Sequence, residues 1–412
     1  MRILGIIAEY NPFHNGHLFH LKKSLQKSKA THTVAIMSGH FLQRGEPALT
    51  DKWSRAKAAV DNGVDLVIEL PFAYACQSAE IFAYGAVSIL NQMNIVDVLS
   101  FGSEEEDLTQ LLNISGILAQ ESPDFKIQLK KGLQDGLSFP KARQQAIEQI
   151  TGASCPLIQK SNAILGIEYL KWLNRLHSTI EPMIIKRHKT EYHSDKAVEG
   201  FAGATYIRNL LLSKKASLRE IQPLVPKETY QMLLAYRDKA PFNQLENYFA
   251  LIKRELLVTT PDEFSDYQEI REGLENRFYK ATTEAKTVKD IIENTVAKRY
   301  PATRIKRTLI HMLHRYKRDQ HQLFFNHSSF HPYLRILAFN EKGREIIQEL
   351  KRKEVPLPVI NNVRKAYPHL DPNQKQLLQI DILSSDLYFL PTQTDVLRPD
   401  YRNIPYKKTT SR

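Results

Sequence analysis

Short, wholly apolar runs alternate with amphipathic stretches through the first half of this chain. Residues 3–10 and 33–37 read as buried strands. So do 64–70, stopped by Pro71, and 96–101, ending at Gly102. Between them apolar positions recur at helical spacing. Residues 16–27 place Leu18, Leu21 and Leu25 on one face, and 79–92 form another helix. Residues 51–62 read as a helix with Thr50 as its expected N-cap and Gly63 just past its end. Strands that are apolar throughout, rather than alternating, predict burial on both faces. That is the pattern of a parallel sheet covered by helices, and such sheets bind ligands at the carboxyl ends of their strands. Two helical segments are expected within 107–150, a helix at 162–176, a short strand at 182–185 and a helix at 206–212.

The second half changes character. From Leu218 onward the pattern is mainly helical, with little strand alternation, and 255–300 is rich in Glu, Lys and Arg. The tail after Asp386 contains Pro, Thr and Tyr and ends basic, and neither repeats nor low-complexity tracts are evident. The predicted fold class is α/β, with a parallel-sheet domain over 1–213 followed by a mainly α-helical domain over 214–412. A length of 412 residues fits two or three domains.

Composition narrows the setting. The apolar and charged fractions, 42% and 25%, are ordinary for a globular protein. No apolar run reaches the roughly 18 residues that span a bilayer, and the N-terminal run lacks the features of a signal peptide. Cys76 and Cys155 stand far apart in no paired motif. A cytoplasmic, reduced protein with no membrane association and no structural zinc is expected. Residues 1–200 hold 21 Lys+Arg and 21 Asp+Glu; residues 201–412 hold 36 and 24, which accounts for the whole net charge of +12. A neutral half followed by a basic half points to a polyanionic partner for the second, most simply nucleic acid, although an ordinary solvated surface would also be basic.

The candidate chemistry sits where the first strand meets the first helix. His14-Asn15-Gly16-His17 follows an apolar run that stops at Asn11-Pro12. Free N–H groups and the dipole at a helix start favour phosphate. His14 and His17, three apart, can point from the same side of the first turn. Gly16 would let a ribose or base approach the backbone closely. Imidazoles there can donate to phosphate oxygens as charge moves onto a leaving pyrophosphate. Two other readings stay open. In one the pair satisfies backbone groups; in the other it ligates a metal with His20, though no carboxylate or cysteine nearby completes a ligand set.

The layout resembles the His-x-Gly-His signature of the nucleotidyltransferase superfamily. The longer string Ala8-Glu9-Tyr10-Asn11-Pro12-Phe13-His14-Asn15-Gly16-His17 resembles the tRNA(Met) cytidine acetate ligase family, and the likeness extends over the whole chain. It implies a Rossmann-like nucleotidyltransferase domain with a helical RNA-binding part behind it. It implies ATP contacts at Ile7, at residues 8–17 just quoted, and at Leu18, Phe19, His20, Gly102, Asn162, Arg187 and His188. His14 and His17 would be the catalytic residues. From the residues alone, Gly102 could be a turn glycine, Asn162 a helix cap and Arg187-His188 a solvated strand end. Gly203-Ala204-Thr205-Tyr206-Ile207-Arg208 is similar to the second superfamily motif, Ser-Ser-Thr-x-Ile-Arg, with Gly203 where a serine is usual. Thr205 and Arg208 are expected phosphate contacts. Ser38-Gly39-His40 and the following Gln43-Arg44-Gly45-Glu46 read as a lid, an acetate pocket or a plain surface loop. Asp51, Lys52 and Arg55 could approach the substrate, an exposed first turn being the commoner meaning, and residues 104–107 read as acids that stabilise a helix N-terminus.

In the basic half, Arg304, Arg307, His311, His314, Arg315 and Arg318 fall on one narrow face at 100° per residue. Ile305, Leu309, Met312, Leu313 and Tyr316 fall opposite. A cationic stripe of this kind, with only Asp319 nearby to compensate it, predicts tRNA contacts at Arg304, Arg307, Arg315 and Arg318; a solvated bundle face is the plainer reading. The resemblance implies that acetate is activated by ATP, accompanied by Mg²⁺, as acetyl-adenylate. The acetyl group would then pass to N4 of the wobble cytidine of elongator tRNA(Met). No obligate protein partner and no resident metal site are evident. The competing readings are an adenylyltransferase acting on a small metabolite, and a non-catalytic RNA-binding protein with a vestigial nucleotide site.

Overall fold

The computed structural model describes residues 1–104, 107–159, 161–187, 200–213, 217–270, 273–325, 330–392 and 398–409. His188 lies outside the described residues. In the first half β1 (Ile3–Ala8), β2 (His32–Ser38), β3 (Leu66–Leu70), β4 (Val98–Ser103) and β5 (Glu181–Lys186) pair in parallel, in the order β5-β4-β1-β2-β3. Between them run α1 (Asn15–Ser28), α2 (Lys52–Asp61), α3 (Phe72–Ala75) and α4 (Ala79–Gln92). Alternate strand residues serve opposite faces. Ile3, Val34, Ile36, Leu66, Ile68 and Leu99 enter one core with α4. Leu4, Ile6, Ala35, Met37, Val67 and Val98 enter another with Leu21 of α1 and Ala56, Ala59 and Val60 of α2. Burial on both faces is why these strands read as unbroken apolar runs.

Three helices, not two, fill the stretch after β4: α5 (Leu108–Gln120), α6 (Pro123–Gln134) and α7 (Phe139–Thr151). Asp107 caps α5 by accepting from Thr109 N–H, as its place in the acidic run suggests. α8 (Ser161–Arg175) and α9 (Ala204–Leu212) complete the first half. The second half supplies α10 (Lys227–Arg237), α11 (Phe249–Val258), α12 (Pro261–Phe264), α13 (Leu274–Glu284), α14 (Val288–Thr295), α15 (Ala302–Leu313) and α16 (Arg318–Phe325).

The chain then returns to the sheet. β6 (Leu334–Phe339) lies antiparallel to β3, and after α17 (Glu341–Arg352), β7 (Val359–Ile360) pairs in parallel with the start of β6. α18 (Val363–Ala366) and α19 (Pro372–Phe389) follow, and β8 (Tyr406–Lys407) pairs with the end of β6. The class is α/β with a mostly parallel sheet, as the strands predicted. The contribution of 214–412 to that sheet was not expected. The run Leu334–Phe339 carries the same signal as β3, but it stands among helical segments.

The first turn of α2 departs most from expectation. Its N-cap is Asp51, which accepts from Ser54 N–H, not Thr50. Lys52 and Arg55, expected to be solvated, are 0% and 1% exposed. Lys52 Nζ lies 2.7 Å from Glu69 of β3 and 2.9 Å from Asp400. Arg335 of β6 reaches the same two carboxylates. Two cations and two anions thus close a buried square that ties α2 and β3 to the C-terminal segments. Arg55 donates to the carbonyls of Glu9, Ser38, Gly39 and Thr50. It therefore gathers the carboxyl ends of β1 and β2 and the loop after them.

Candidate active site

β1 ends at Ala8, and six residues carry the chain to α1. Tyr10 takes a left-handed conformation (φ 47°). Asn11 Oδ1 accepts from Leu49 N–H, and its carbonyl accepts from Arg208, so this turn is held from two sides. The two histidines then cap α1 reciprocally. His14 Nδ1 accepts from Gly16 N–H at 3.0 Å, and His17 Nδ1 accepts from His14 N–H at 3.2 Å. Their rings stack with centroids 3.8 Å apart. A backbone N–H can only donate, so each Nδ1 is an acceptor and each neutral ring carries its proton on Nε2. The open reading that the pair satisfies backbone groups is thus true of one nitrogen in each ring. The other nitrogen of each is a donor available to a ligand.

Gly16 has a role inside the motif as well. A Cβ there would stand 2.8 Å from Cε1 of His14, so a side chain would push the capping ring out of place. Burial lowers the His14 pKa to about 3, helped by Arg187 and Arg208, and that of His20 to about 4, helped by Arg187. His17 is held well below the ordinary histidine value, first by burial and then by His14 and Arg187. The series is neutral at physiological pH.

A cavity of about 460 Å³ opens beside this turn at the carboxyl ends of the strands. Its wall includes Ile7, Ala8, Glu9, Tyr10, Asn11, His14, Gly16, His17, Phe19 and His20. Pro12, Phe13, Asn15 and Leu18, also expected to meet the nucleotide, are not on that wall. Phe13 is 1% exposed and Pro12 is buried, while Leu18 packs against the α1 core. Asn15 spends its amide on the carbonyls of Gly200 and Pro223. Gly102, Asn162 and Arg187 do line the cavity. Asn162 lies inside the first turn of α8, not at its cap: its amide donates to Glu104 and its carbonyl accepts from Arg187 at 3.0 Å. At Gly102 a Cβ would meet only Arg187 methylenes at 3.5 Å, which leaves the strand end open to a flat ligand.

Thr205 and Arg208 also reach the wall, from the N-terminal turn of α9. Gly203 is the N-cap of that helix and makes no side-chain cap. The departure from the serine-rich motif therefore removes one donor and leaves the backbone in place. The wall also holds Gln43, Arg44, Phe82, Phe101, Tyr169, Lys186, Thr303 and Arg307. Of these, only Arg44 and its loop, and Arg307, stood out in sequence. The apolar ones look like any other core residue there.

The expected cationic stripe is corrected by the structure. The helical projection fails because α15 stops at Leu313 and Arg315 turns left-handed (φ 49°). His311 and His314 are 0% and 4% exposed. His311 bonds the Cys76 carbonyl at 2.7 Å, and His314 stacks on Phe72 at 4.0 Å. Burial lowers their pKa values to about 4 and about 3, so neither is a cation. Acids from a distant segment neutralise much of the rest. Glu269 bridges Arg304 and Arg307, and Glu255 faces Arg315. Arg318 donates to the Ser265 carbonyl. Arg307 belongs to the cavity wall, and Arg315 keeps an exposed side chain.

Among the described residues, no group of three His, Cys, Asp or Glu stands together as a metal site, and no helix is long and apolar enough to cross a membrane. The cavity wall holds one described carboxylate, Glu9, against Arg44, Lys186, Arg187, Arg208 and Arg307. That balance suits a polyanion.

Comparison with known proteins agrees with this chemistry. The family described as HIGH Nucleotidyl Transferase matches residues 1–401. A tRNA(Met) cytidine acetate ligase of Caldicellulosiruptor bescii is 44% identical, over 95% of this chain and 94% of its own. One of Alkaliphilus metalliredigens is 42% identical, over 98% and 99%. The crystal structure of apo Thermotoga maritima TmcAL superposes with a TM-score of 0.93 at 32% identity, covering 99% of both chains. The same protein bound with alpha-thio ATP gives 0.90 at 33%, again covering 99% of both.

Proposed function

The chain belongs to the tRNA(Met) cytidine acetate ligase family of HIGH nucleotidyltransferases, and from that premise we propose the course of its reaction. ATP lies along the cavity, with its base toward Gly102, Asn162 and Arg187. Its phosphates meet His14, His17, Thr205 and Arg208. An acetate oxygen attacks the α-phosphorus, the bond to the β-phosphate oxygen breaks, and pyrophosphate leaves. The resulting acetyl-adenylate is attacked by N4 of the wobble cytidine of elongator tRNA(Met), giving N4-acetylcytidine and AMP. Activation is needed because acetate is a poor acylating agent and the exocyclic amine a weak nucleophile.

The observation that carries this reading is the reciprocal histidine cap. It fixes both Nε2–H groups as neutral donors at the helix start, ready for charge that develops on the leaving oxygens. Rings this far below neutrality in pKa accept protons poorly, and the one acceptor nitrogen of each is already taken by the cap, so they serve as stabilisers, not bases. Positioning and charge compensation supply most of the rate in such transfers. Mg²⁺ would neutralise phosphate charge and arrive with ATP. The wall, with its one described carboxylate, is suited to the phosphates and not to a resident cation.

Residues 214–412 are proposed to present tRNA to this cavity, with the exposed Arg315 and the half-buried Arg318 at the end of the former stripe. Arg304 and Arg307 instead brace the cavity through Glu269. Incubating the protein with ATP, labelled acetate and total tRNA, then digesting to nucleosides, tests the proposal. Labelled N4-acetylcytidine is expected. AMP joined to a small metabolite would favour the adenylyltransferase, and full function after loss of both histidines would favour a vestigial site.

A further inference from the structure

The phosphate and base contacts leave one end of the cavity unassigned. Gln43 and Arg44 come to it from the loop after β2, Ala79 and Phe82 from α4, and Thr303 and Arg307 from α15. These three segments are packed on one another. Glu9 accepts from Gln43 N–H at 2.9 Å, and Gln43 donates to the Gln77 carbonyl just before α4. Lys306 pairs with Glu46. Gly45 (φ +73°) presses its bare Cα on α15, where a Cβ would lie 2.3 Å from the Arg307 nitrogen.

This end has the two qualities that a short carboxylate needs. It is electropositive: Arg304 and Arg307 share the single carboxylate of Glu269, at 3.1 and 3.2 Å, so the trio keeps one net positive charge in a buried setting. Arg44 and Glu9 also reach this end and offset each other, so the positive charge there comes from the Arg304–Arg307–Glu269 trio. It also has an apolar wall: Phe82 is 3% exposed and stands one turn along α4 from Ala79, where a methyl group would rest.

Resting on the acetate-activating reading above, we propose that this end is the subsite of the carboxylate substrate. Arg307 holds the charge of a short carboxylate, and Phe82 limits the length of its acyl chain. The subsite would set the carboxylate against the α-phosphorus from the side opposite the histidine cap. Glu9 borders the same end, where its carboxylate accepts from Gln43 N–H.

Acetate-dependent ATP–pyrophosphate exchange reads the first half-reaction without tRNA. Arg307→Met is expected to raise KM for acetate about ten- to hundredfold, the loss typical of one charge-assisted contact, with KM for ATP and pyrophosphate within about twofold. Arg307→Lys is expected to recover part of the loss. Phe82→Ala is expected to raise the propionate-to-acetate ratio of kcat/KM about tenfold or more, a ratio that does not depend on the folded fraction. A rise confined to ATP or pyrophosphate would assign Arg307 to the phosphates and overturn the proposal. An unchanged acyl preference in Phe82→Ala would overturn it equally. Absence of acetate-dependent exchange in the unaltered protein would instead sink the underlying reading.

Discussion

Replacing Lys52 by Met should destabilise the protein severely. Lys52 is 0% exposed, and its ammonium lies within 2.9 Å of both Glu69 oxygens and of Asp400. Methionine fills the volume but leaves two buried carboxylates facing Arg335 alone. Breaking a buried charge set in this way costs about 3–5 kcal/mol, against 0–1 for an exposed pair. The measurement is the urea midpoint at pH 7, with the slope checked for constancy. Adding Glu69→Gln should restore part of the loss, because it removes the surplus negative charge; the coupling of the two substitutions measures their interaction. The deficit should also depend on pH. Burial pushes the Asp400 carboxyl up, but Arg335 and Lys52 together hold it below the usual range. It therefore contributes stability above its unfolded pKa, lost as pH falls through the lower folded value. Without Lys52 the carboxyl protonates at higher pH, so the variant's deficit should shrink from pH 7 towards 4. A loss under about 1 kcal/mol at pH 7 would refute the argument, since it would mean that the square behaves like a solvated pair.

Three further outcomes are expected. Burial, then Glu69, raises the Asp381 pKa to about 7, so its contribution is intact below about pH 4 and lost as pH rises through 7. Asp381→Asn should flatten the stability–pH curve in that window, and parallel curves for the two proteins would contradict this. With His14 near 3 and His20 near 4, kcat/KM for ATP should show no titration near 6.5. A step there that vanished in His14→Asn would show a protonated ring in the free enzyme. Gly45→Ala should cost about 2–5 kcal/mol, combining left-handed strain with overpacking against α15. Unaltered urea unfolding would show that loop and helix do not bear on each other.

The first four strands were legible because each is a closed apolar run. The histidine pair was legible because its strand-to-helix context is local. What escaped were pairings distant in sequence. Lys52 and Arg55 look solvated until Glu69, Arg335 and Asp400, or four carbonyls, are brought to them. The stripe on 304–318 looked uncompensated because Glu255 and Glu269 lie on another segment, and a wheel projection assumes a helix that here stops at Leu313. Asn162 could not be told from a cap because its partners, Glu104 and Arg187, come from other segments. Gly16 was read for what it admits from outside, whereas its first neighbour is the imidazole two residues before it.

The position of β6 has a consequence for how the molecule is made. β3 is synthesised early, yet its outer neighbour comes only after the whole intervening helical stretch, and Asp400 later still. During synthesis the nascent sheet carries an open, apolar edge of the kind that invites mispairing, beside a lysine whose counter-ions are not all yet present. The late strands act as a clasp that seals the early ones. Cutting the chain at 213 would therefore not release a free-standing catalytic half; it would leave a sheet still waiting for its border.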